Sequence, residues 1–203
     1  MVNHKLKLIY ARVACTASCT LKCTLEKQNV SFESVDTATW THDPLHVSLK
    51  HICENIAHHD KYFKFTVIRN PYDRLVSAFH FYHDWHAFTY HNTLDMSFPQ
   101  FVENLYHCPE WRSERVKYTD QHAFVDGCDY IGRFENLRAS YLELCEHINI
   151  TPIPFVSTNH VDHWGHTKSP RYYDTYQEYY DSNTKQLVTE MCYNDITTYQ
   201  YQF

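Results

Sequence analysis

Glycine is scarce in this chain. Only three of the 203 residues are glycine, at positions 127, 132 and 165. A Walker A loop needs two glycines before its lysine, and a dinucleotide-binding fingerprint needs three. Neither motif can therefore lie ahead of position 127, which excludes the usual kinases, GTPases and dehydrogenases.

Long apolar runs are absent as well. No stretch approaches the roughly 20 consecutive apolar residues of a transmembrane helix, and the opening segment MVNHKLKLIYARV lacks the apolar centre of a signal peptide. We therefore expect a cytoplasmic protein. In that compartment the eight cysteines are expected to be reduced, so no disulfide framework is needed.

Positive charge is not in excess. The formal net charge of −6 argues against a broad interface with nucleic acid or with an anionic membrane. Hydrophobic residues make up 43% of the chain and aromatic residues 16%, which is enough to bury a core. At this length we expect one globular domain over residues 1–203, without a nucleic-acid or membrane partner.

Strand and helix patterns alternate along the chain. Residues 6–13 and 63–69 have the composition of buried strands, and a segment that suits a helix follows each of them. Further strands are predicted at 32–35 and 130–134, and the predicted helices cover 16–28, 46–57, 71–85, 97–106, 135–148 and 174–193. This order predicts an α/β fold whose central parallel sheet is covered by helices on both faces.

In such sheets, ligands bind beyond the carboxyl ends of the strands. At the first of these ends, residues 14–20 read ACTASCT, a run of small residues and hydroxyls that opens a predicted helix. Backbone amides at a helix N-terminus attract anions. The segment therefore suits an anion-binding turn, although an ordinary capped helix has the same composition.

The predicted strand at 63–69 ends in Arg69, and Ser77 follows two helical turns later. An arginine with a nearby hydroxyl suits a bound phosphate. The alternative is a strand-end charge that pairs with Asp73 or Glu135.

The cysteines raise a different possibility, a metal or redox site. Cys15, Cys19 and Cys23 recur at every fourth position. Structural zinc sites usually combine one close cysteine pair with a second close pair. The other five cysteines are isolated, so we expect no metal, and we attribute the spacing of four to helical geometry.

Five blocks, in order, resemble sulfotransferases that use 3′-phosphoadenosine 5′-phosphosulfate (PAPS), namely the carbohydrate branch and its bacterial and viral relatives. FKFTVIRNPYDRLVSAF is similar to the 3′-phosphate segment of that family, and IYARVACTASCTLK to its phosphosulfate loop I-P-K-T-A-S-T-S-L. HVSLKHI resembles its H-A-T-A-x-E-I segment, DYIGRFENL its YIGRFENL block, and the last 28 residues its tyrosine-rich tail.

The resemblance implies a P-loop-like three-layer fold and the transfer of a sulfuryl group from PAPS to an acceptor hydroxyl or amine. It implies carbohydrate as the acceptor, with a small molecule as the other possibility. Arg69 and Ser77 would hold the 3′-phosphate, with Lys168 and Arg171 as further contacts unless they are solvated loop charges. The residues that would surround the phosphosulfate are Cys15, Thr16, Ala17, Ser18, Cys19 and Thr20.

A base must take the proton of the acceptor. His46 aligns with the histidine of the family's H-A-T-A segment and is the first candidate, and His42 is the second.

The chain departs from the family pattern at Cys15, which stands where the family has lysine. Loss of one such charge-stabilising group typically costs a hundred- to thousandfold in rate. Arg12 is expected to point to the wrong side of its strand to replace that lysine, and Lys22 lies well into the helix. A sulfotransferase-like protein that binds PAPS, its product or a partner without efficient turnover is therefore the alternative.

Overall fold

The computed structural model describes residues 1–35, 46–83, 96–108, 120–157 and 172–203. The strands are β1 (Val2–Asn3), β2 (Leu8–Tyr10), β3 (Phe63–Ile68) and β4 (Tyr130–Arg133). The helices are α1 (Ser18–Lys27), α2 (Leu49–Glu54), α3 (Pro71–His83), α4 (Phe98–His107), α5 (Gln121–Val125), α6 (Leu137–His147), α7 (Ser182–Met191) and α8 (Tyr193–Tyr199). Short 3₁₀ turns occupy His59–Lys61, Phe134–Asn136 and Tyr176–Tyr179.

The chain forms two compact units, one of residues 1–69 with 121–159 and one of residues 70–120 with 160–203. The assignment of the whole chain to a single domain stays a prediction. No helix in the described part of either unit combines the length and apolar character needed to cross a lipid bilayer.

The first unit holds a sheet whose described strands follow the order β1-β2-β3-β4. β2, β3 and β4 are parallel, with Leu8 opposite Phe63 and Phe65 opposite Tyr130. β1 pairs antiparallel with β2, and its two residues are too few for a sequence pattern to predict. The expected α/β fold is confirmed, with a sheet that is parallel except for the short edge strand β1.

Alternating side chains of the strands pack on opposite faces of this sheet. Tyr10 and Phe65 lie on the face covered by α1 and α6, where their rings stack at 4.6 Å. Ile9 lies on the opposite face, in a cluster with Ile52 of α2. Each large apolar side chain buried in this way stabilises the fold by about 1.5–3 kcal/mol.

The strand predicted at 32–35 is reduced to one bridge. Glu33 exchanges two backbone hydrogen bonds with Val2, at 2.8 and 2.9 Å, and no further pairing follows in the described chain. The prediction of a strand here is therefore wrong. Its partner β1 ends at Asn3, which leaves little edge to pair with.

The second unit is helical where it is described. Pro71 is the first residue of α3. Proline does not destabilise a helix at this position, because the N–H that it lacks would have no partner within the helix. Ser97 and Gln100 form a capping box at the start of α4. Phe79 of α3 packs edge-on against Phe98 of α4, with ring centroids 5.5 Å apart.

Candidate functional site

The turn between β2 and α1 has an unusual backbone. Cys15 and Ala17 lie in the left-handed region, with φ of 62° and 58°. This conformation normally belongs to glycine and costs roughly 1–2 kcal/mol for other residues. Left-handed residues between a strand and a helix are also the backbone element of anion-binding nests. The turn therefore places two left-handed residues between a strand and a helix without a glycine at either position.

The N-terminus of α1 is electropositive. Its N-cap, Ala17, offers no side-chain acceptor, and the first turn holds no acidic residue. The first amides of a helix lack carbonyl partners within the helix, and the helix dipole places partial positive charge there. This end of α1 therefore favours an anion.

Thr16 stabilises the loop from within. Its side chain is fully buried, and its hydroxyl donates to the carbonyl of Val13 at 2.9 Å. The hydroxyl hydrogen is thus used inside the loop, where it holds the turn together.

Arg69, at the end of β3, reaches this loop. Its Nη1 donates to the carbonyl oxygen of Cys15 at 2.9 Å, and its guanidinium lies 4.0 Å from the ring centroid of Phe134. The side chain is only 6% exposed. The two strand ends that the sequence singled out are therefore adjacent.

Gln121 fixes the backbone of Arg69, and sequence reasoning missed it. Its side-chain oxygen accepts from the Arg69 amide at 3.0 Å, and its nitrogen donates to the Arg69 carbonyl at 2.8 Å. Gln121 is completely buried at the start of α5. One glutamine in a polar segment gives no signal of this role.

His46 is buried beside the same loop. Its Nδ1 lies 2.9 Å from the carbonyl oxygen of Arg12. A carbonyl can only accept a hydrogen bond, so Nδ1 carries the hydrogen and Nε2 is the basic nitrogen of the neutral ring. A bond of this kind fixes the tautomer and the orientation that a general base requires.

The side chain of Arg12 runs toward α1. Its Nη2 lies 3.5 Å from Ser18 Oγ and 3.3 Å from Cys19 Sγ. The expectation that Arg12 points away from the loop assumed extended backbone as far as Cys15, whose left-handed φ of 62° breaks that alternation. Lys22, by contrast, pairs with Glu26 at 2.6 Å along the helix.

Tyr10 lies on the same side of β2 as Arg12. Its hydroxyl is buried and has no hydrogen-bond partner in the described chain. Burial raises the pKa of Tyr10 above its ordinary value, an effect that the nearby charge of Arg12 opposes.

The roles of the remaining predicted residues stay predictions. Ser77 lies half-buried in α3, within the second unit, and its role stays a prediction. His42, Lys168 and Arg171 fall outside the described residues. In the described ranges, no group of three or more His, Cys, Asp or Glu side chains is arranged to hold a metal ion.

A parallel α/β sheet, a tight strand-to-helix turn and an arginine bonded to that turn are typical of α/β proteins that bind anionic groups at the carboxyl ends of their strands. A model of the sulfotransferase family matches residues 1–202, so the chain belongs to that family. No curated protein sequence matches the chain. The resemblance to the sulfotransferase family is confirmed, and membership supports sulfotransfer as the general activity.

Proposed function

We propose that this protein transfers a sulfuryl group from PAPS to an acceptor hydroxyl, of a carbohydrate or of a small molecule. The observation that carries the proposal is the hydrogen bond from Arg69 to Cys15. It joins the segment assigned to the 3′-phosphate with the segment assigned to the phosphosulfate, as one donor molecule requires.

The loop at residues 14–20 holds the phosphosulfate of the donor. Its small side chains, the unfilled N-cap of α1 and the absence of carboxylates in the first turn all favour an anion there. Arg69 is positioned beside the same loop by its bonds to Gln121. A guanidinium in a fixed orientation suits a phosphate, which accepts parallel hydrogen bonds.

His46 is the base. Its Nε2 takes the proton of the acceptor hydroxyl, whose oxygen forms a new bond to sulfur. The bond from sulfur to the bridging oxygen breaks, and its electron pair leaves on adenosine 3′,5′-bisphosphate. The protein contributes positioning and electrostatic stabilisation, because the transferring group carries spread negative charge.

Four further assignments rest on the resemblance alone. Ser77 is proposed as the hydroxyl partner of the 3′-phosphate, Lys168 and Arg171 as further donor contacts, and His42 as the second candidate base.

A transfer assay with sulfur-labelled PAPS and a panel of sugars and small hydroxyl compounds tests this function. We expect label on at least one acceptor, and loss of that transfer in His46→Ala. Cys15 in the lysine position favours a second candidate, a protein that binds the donor without efficient turnover. Donor binding without label on any acceptor would support the second candidate, and failure to bind would contradict both.

A further inference from the structure

Two consecutive tyrosines of the second unit are exposed to solvent. The side chain of Tyr172 is 57% exposed and that of Tyr173 is 49% exposed. They come just before the 3₁₀ turn at Tyr176–Tyr179. The proposed transfer reaction assigns neither residue a role. A single exposed aromatic side chain is ordinary, so the question is whether these two are held in a defined arrangement.

A buried hydroxyl fixes the backbone of this pair. Tyr179 Oη accepts hydrogen bonds from the amides of Tyr172 and Tyr173, at 2.6 and 3.3 Å. Both lone pairs of this oxygen are then in use, so its hydrogen is donated to Nε2 of His80, which lies 2.7 Å away. Tyr179 and His80 are each 5% exposed. The two exposed tyrosines are therefore attached to an ordered, buried support.

The exposed rings present two aromatic faces at a steep angle. Both contact the ring of Tyr179, with centroids 6.5 Å away for Tyr172 and 4.9 Å away for Tyr173. The Tyr172 ring is nearly parallel to that of Tyr179, at 26°, whereas the Tyr173 ring is nearly perpendicular to it, at 85°. The pair is therefore an angled aromatic surface and not a flat apolar patch.

The unit that carries this surface is acidic. By sequence it holds 13 Asp and Glu residues against seven Lys and Arg, whereas the first unit holds 11 of each, so the formal net charge of −6 belongs to the second unit. Asp174 and Glu178, both exposed, lie in the same segment as the tyrosines. Hydrogen bonds from Thr175 hold the pKa of Glu178 below its ordinary value, so this carboxylate is ionised at neutral pH. An anionic ligand is disfavoured here.

These features fit a neutral sugar. The face of an aromatic ring carries partial negative charge, so it attracts the polarised C–H groups on the apolar face of a pyranose. A sugar that carries a carboxylate or a sulfate would be repelled by the charge of the unit. The same charge opposes a second copy of this unit or an anionic membrane as the partner, and the angle between the rings does not suit a flat surface.

We propose that Tyr172 and Tyr173 bind a neutral hexose of the carbohydrate acceptor by stacking on its C–H groups. This inference rests on the proposed function, because the sugar is the acceptor of the sulfuryl group. It narrows that acceptor from any hydroxyl compound to an uncharged carbohydrate. Tyr179 and His80 are positioning residues, which act through the backbone of the pair.

Saturation-transfer NMR with two monosaccharides tests the site without PAPS. Methyl β-galactopyranoside is neutral and has adjacent C–H groups on one face of its ring. The matching uronic acid has a carboxylate in place of the primary alcohol. We expect the galactoside to bind at millimolar concentration, with the strongest saturation at its ring C–H protons, and the uronate to bind at least about fivefold more weakly.

Variants identify the rings that make the contact. Tyr172→Ala and Tyr173→Ala should each weaken binding of the galactoside about 5- to 10-fold, whereas Tyr172→Phe and Tyr173→Phe, which keep the ring, should bind as wild type does. Tyr193→Ala removes a tyrosine of α8 that is 63% exposed and is the matched control. The unfolding temperature should stay at the wild-type value in all five variants, since the altered side chains are exposed.

The outcomes are distinct. The inference is overturned if wild-type protein does not bind the galactoside, if it binds both sugars equally, or if the alanine variants bind like wild type. It is also overturned if sedimentation shows that the alanine variants dissociate an oligomer, because the pair is then a protein interface. Sugar binding that depends on the tyrosines, without sulfuryl transfer to any acceptor, contradicts the proposed function and leaves the sugar site in place.

Discussion

Arg69 Nη1 donates a hydrogen bond to the carbonyl oxygen of Cys15 at 2.9 Å, across a separation of 54 residues. The contact forms because β2 and β3 are parallel neighbours, whose carboxyl ends lie at the same edge of the sheet. It brings a permanent positive charge to a left-handed turn at the start of α1.

Removal of the Arg69 guanidinium should weaken donor binding. We expect Arg69→Met to lose at least about tenfold in affinity for adenosine 3′,5′-bisphosphate, because a charged hydrogen-bond donor is removed. Because Arg69 is assigned to the 3′-phosphate, the variant should also bind adenosine 3′-phosphate more weakly. Calorimetric titration checks both ligands, and Arg138→Met, which removes an exposed arginine of α6, is the control. Unchanged affinity in Arg69→Met would show that Arg69 lies outside the donor site.

His46→Ala should separate binding from turnover. The imidazole accepts the proton of the acceptor in the proposed mechanism and does not hold the donor, so transfer falls by about 10²–10⁴-fold. Affinity for adenosine 3′,5′-bisphosphate stays within about twofold of wild type. His59→Ala removes an exposed histidine and should change neither quantity. Full transfer activity in His46→Ala would show that His46 is not the base.

The donor should protect two cysteines from alkylation. Cys15 and Cys19 are partly exposed in the loop and in the first turn of α1, where a bound phosphosulfate would cover them. Cys108, which is exposed at the end of α4, is the internal control. Mass spectrometry after brief alkylation, with and without adenosine 3′,5′-bisphosphate, gives the rate at each thiol. Equal protection of all three, or of none, would contradict a site at the loop.

The left-handed backbone of Ala17 should be measurable as strain. Ala17→Gly removes the steric cost of φ = 58° and is expected to raise the free energy of unfolding by about 1 kcal/mol. Ala139→Gly, at an exposed position of α6, should lower it by roughly 0.5–1 kcal/mol because glycine disfavours a helix. Denaturant titration checks both, and a loss of stability in Ala17→Gly would show that the turn is not strained there.

Much of the sheet could be predicted from the sequence. The segment FKFTVIR and the proline after it determine β3 and the start of α3, since apolar composition and Pro71 both act locally. The strand-to-helix order also predicts that Arg69 and residues 14–20 lie at the same edge of the sheet.

Other parts depend on contacts that no local pattern encodes. The left-handed φ of Cys15 has no signal in a residue that is not glycine, so the direction of Arg12 could not be read from strand alternation. In the sequence, nothing distinguishes Gln121 from other polar residues. Only the fold places its side chain against the backbone of Arg69. Whether Ser77 joins Arg69 in binding a phosphate stays a prediction.

Calorimetric titration of the wild-type chain with adenosine 3′,5′-bisphosphate tests the central claim most directly. The account predicts one site per chain, competition by PAPS and an affinity that weakens as salt is added, since the contacts are charged. Absence of binding at millimolar nucleotide, by heat and by unfolding temperature, would contradict the assignment of the loop and Arg69 to a sulfuryl donor.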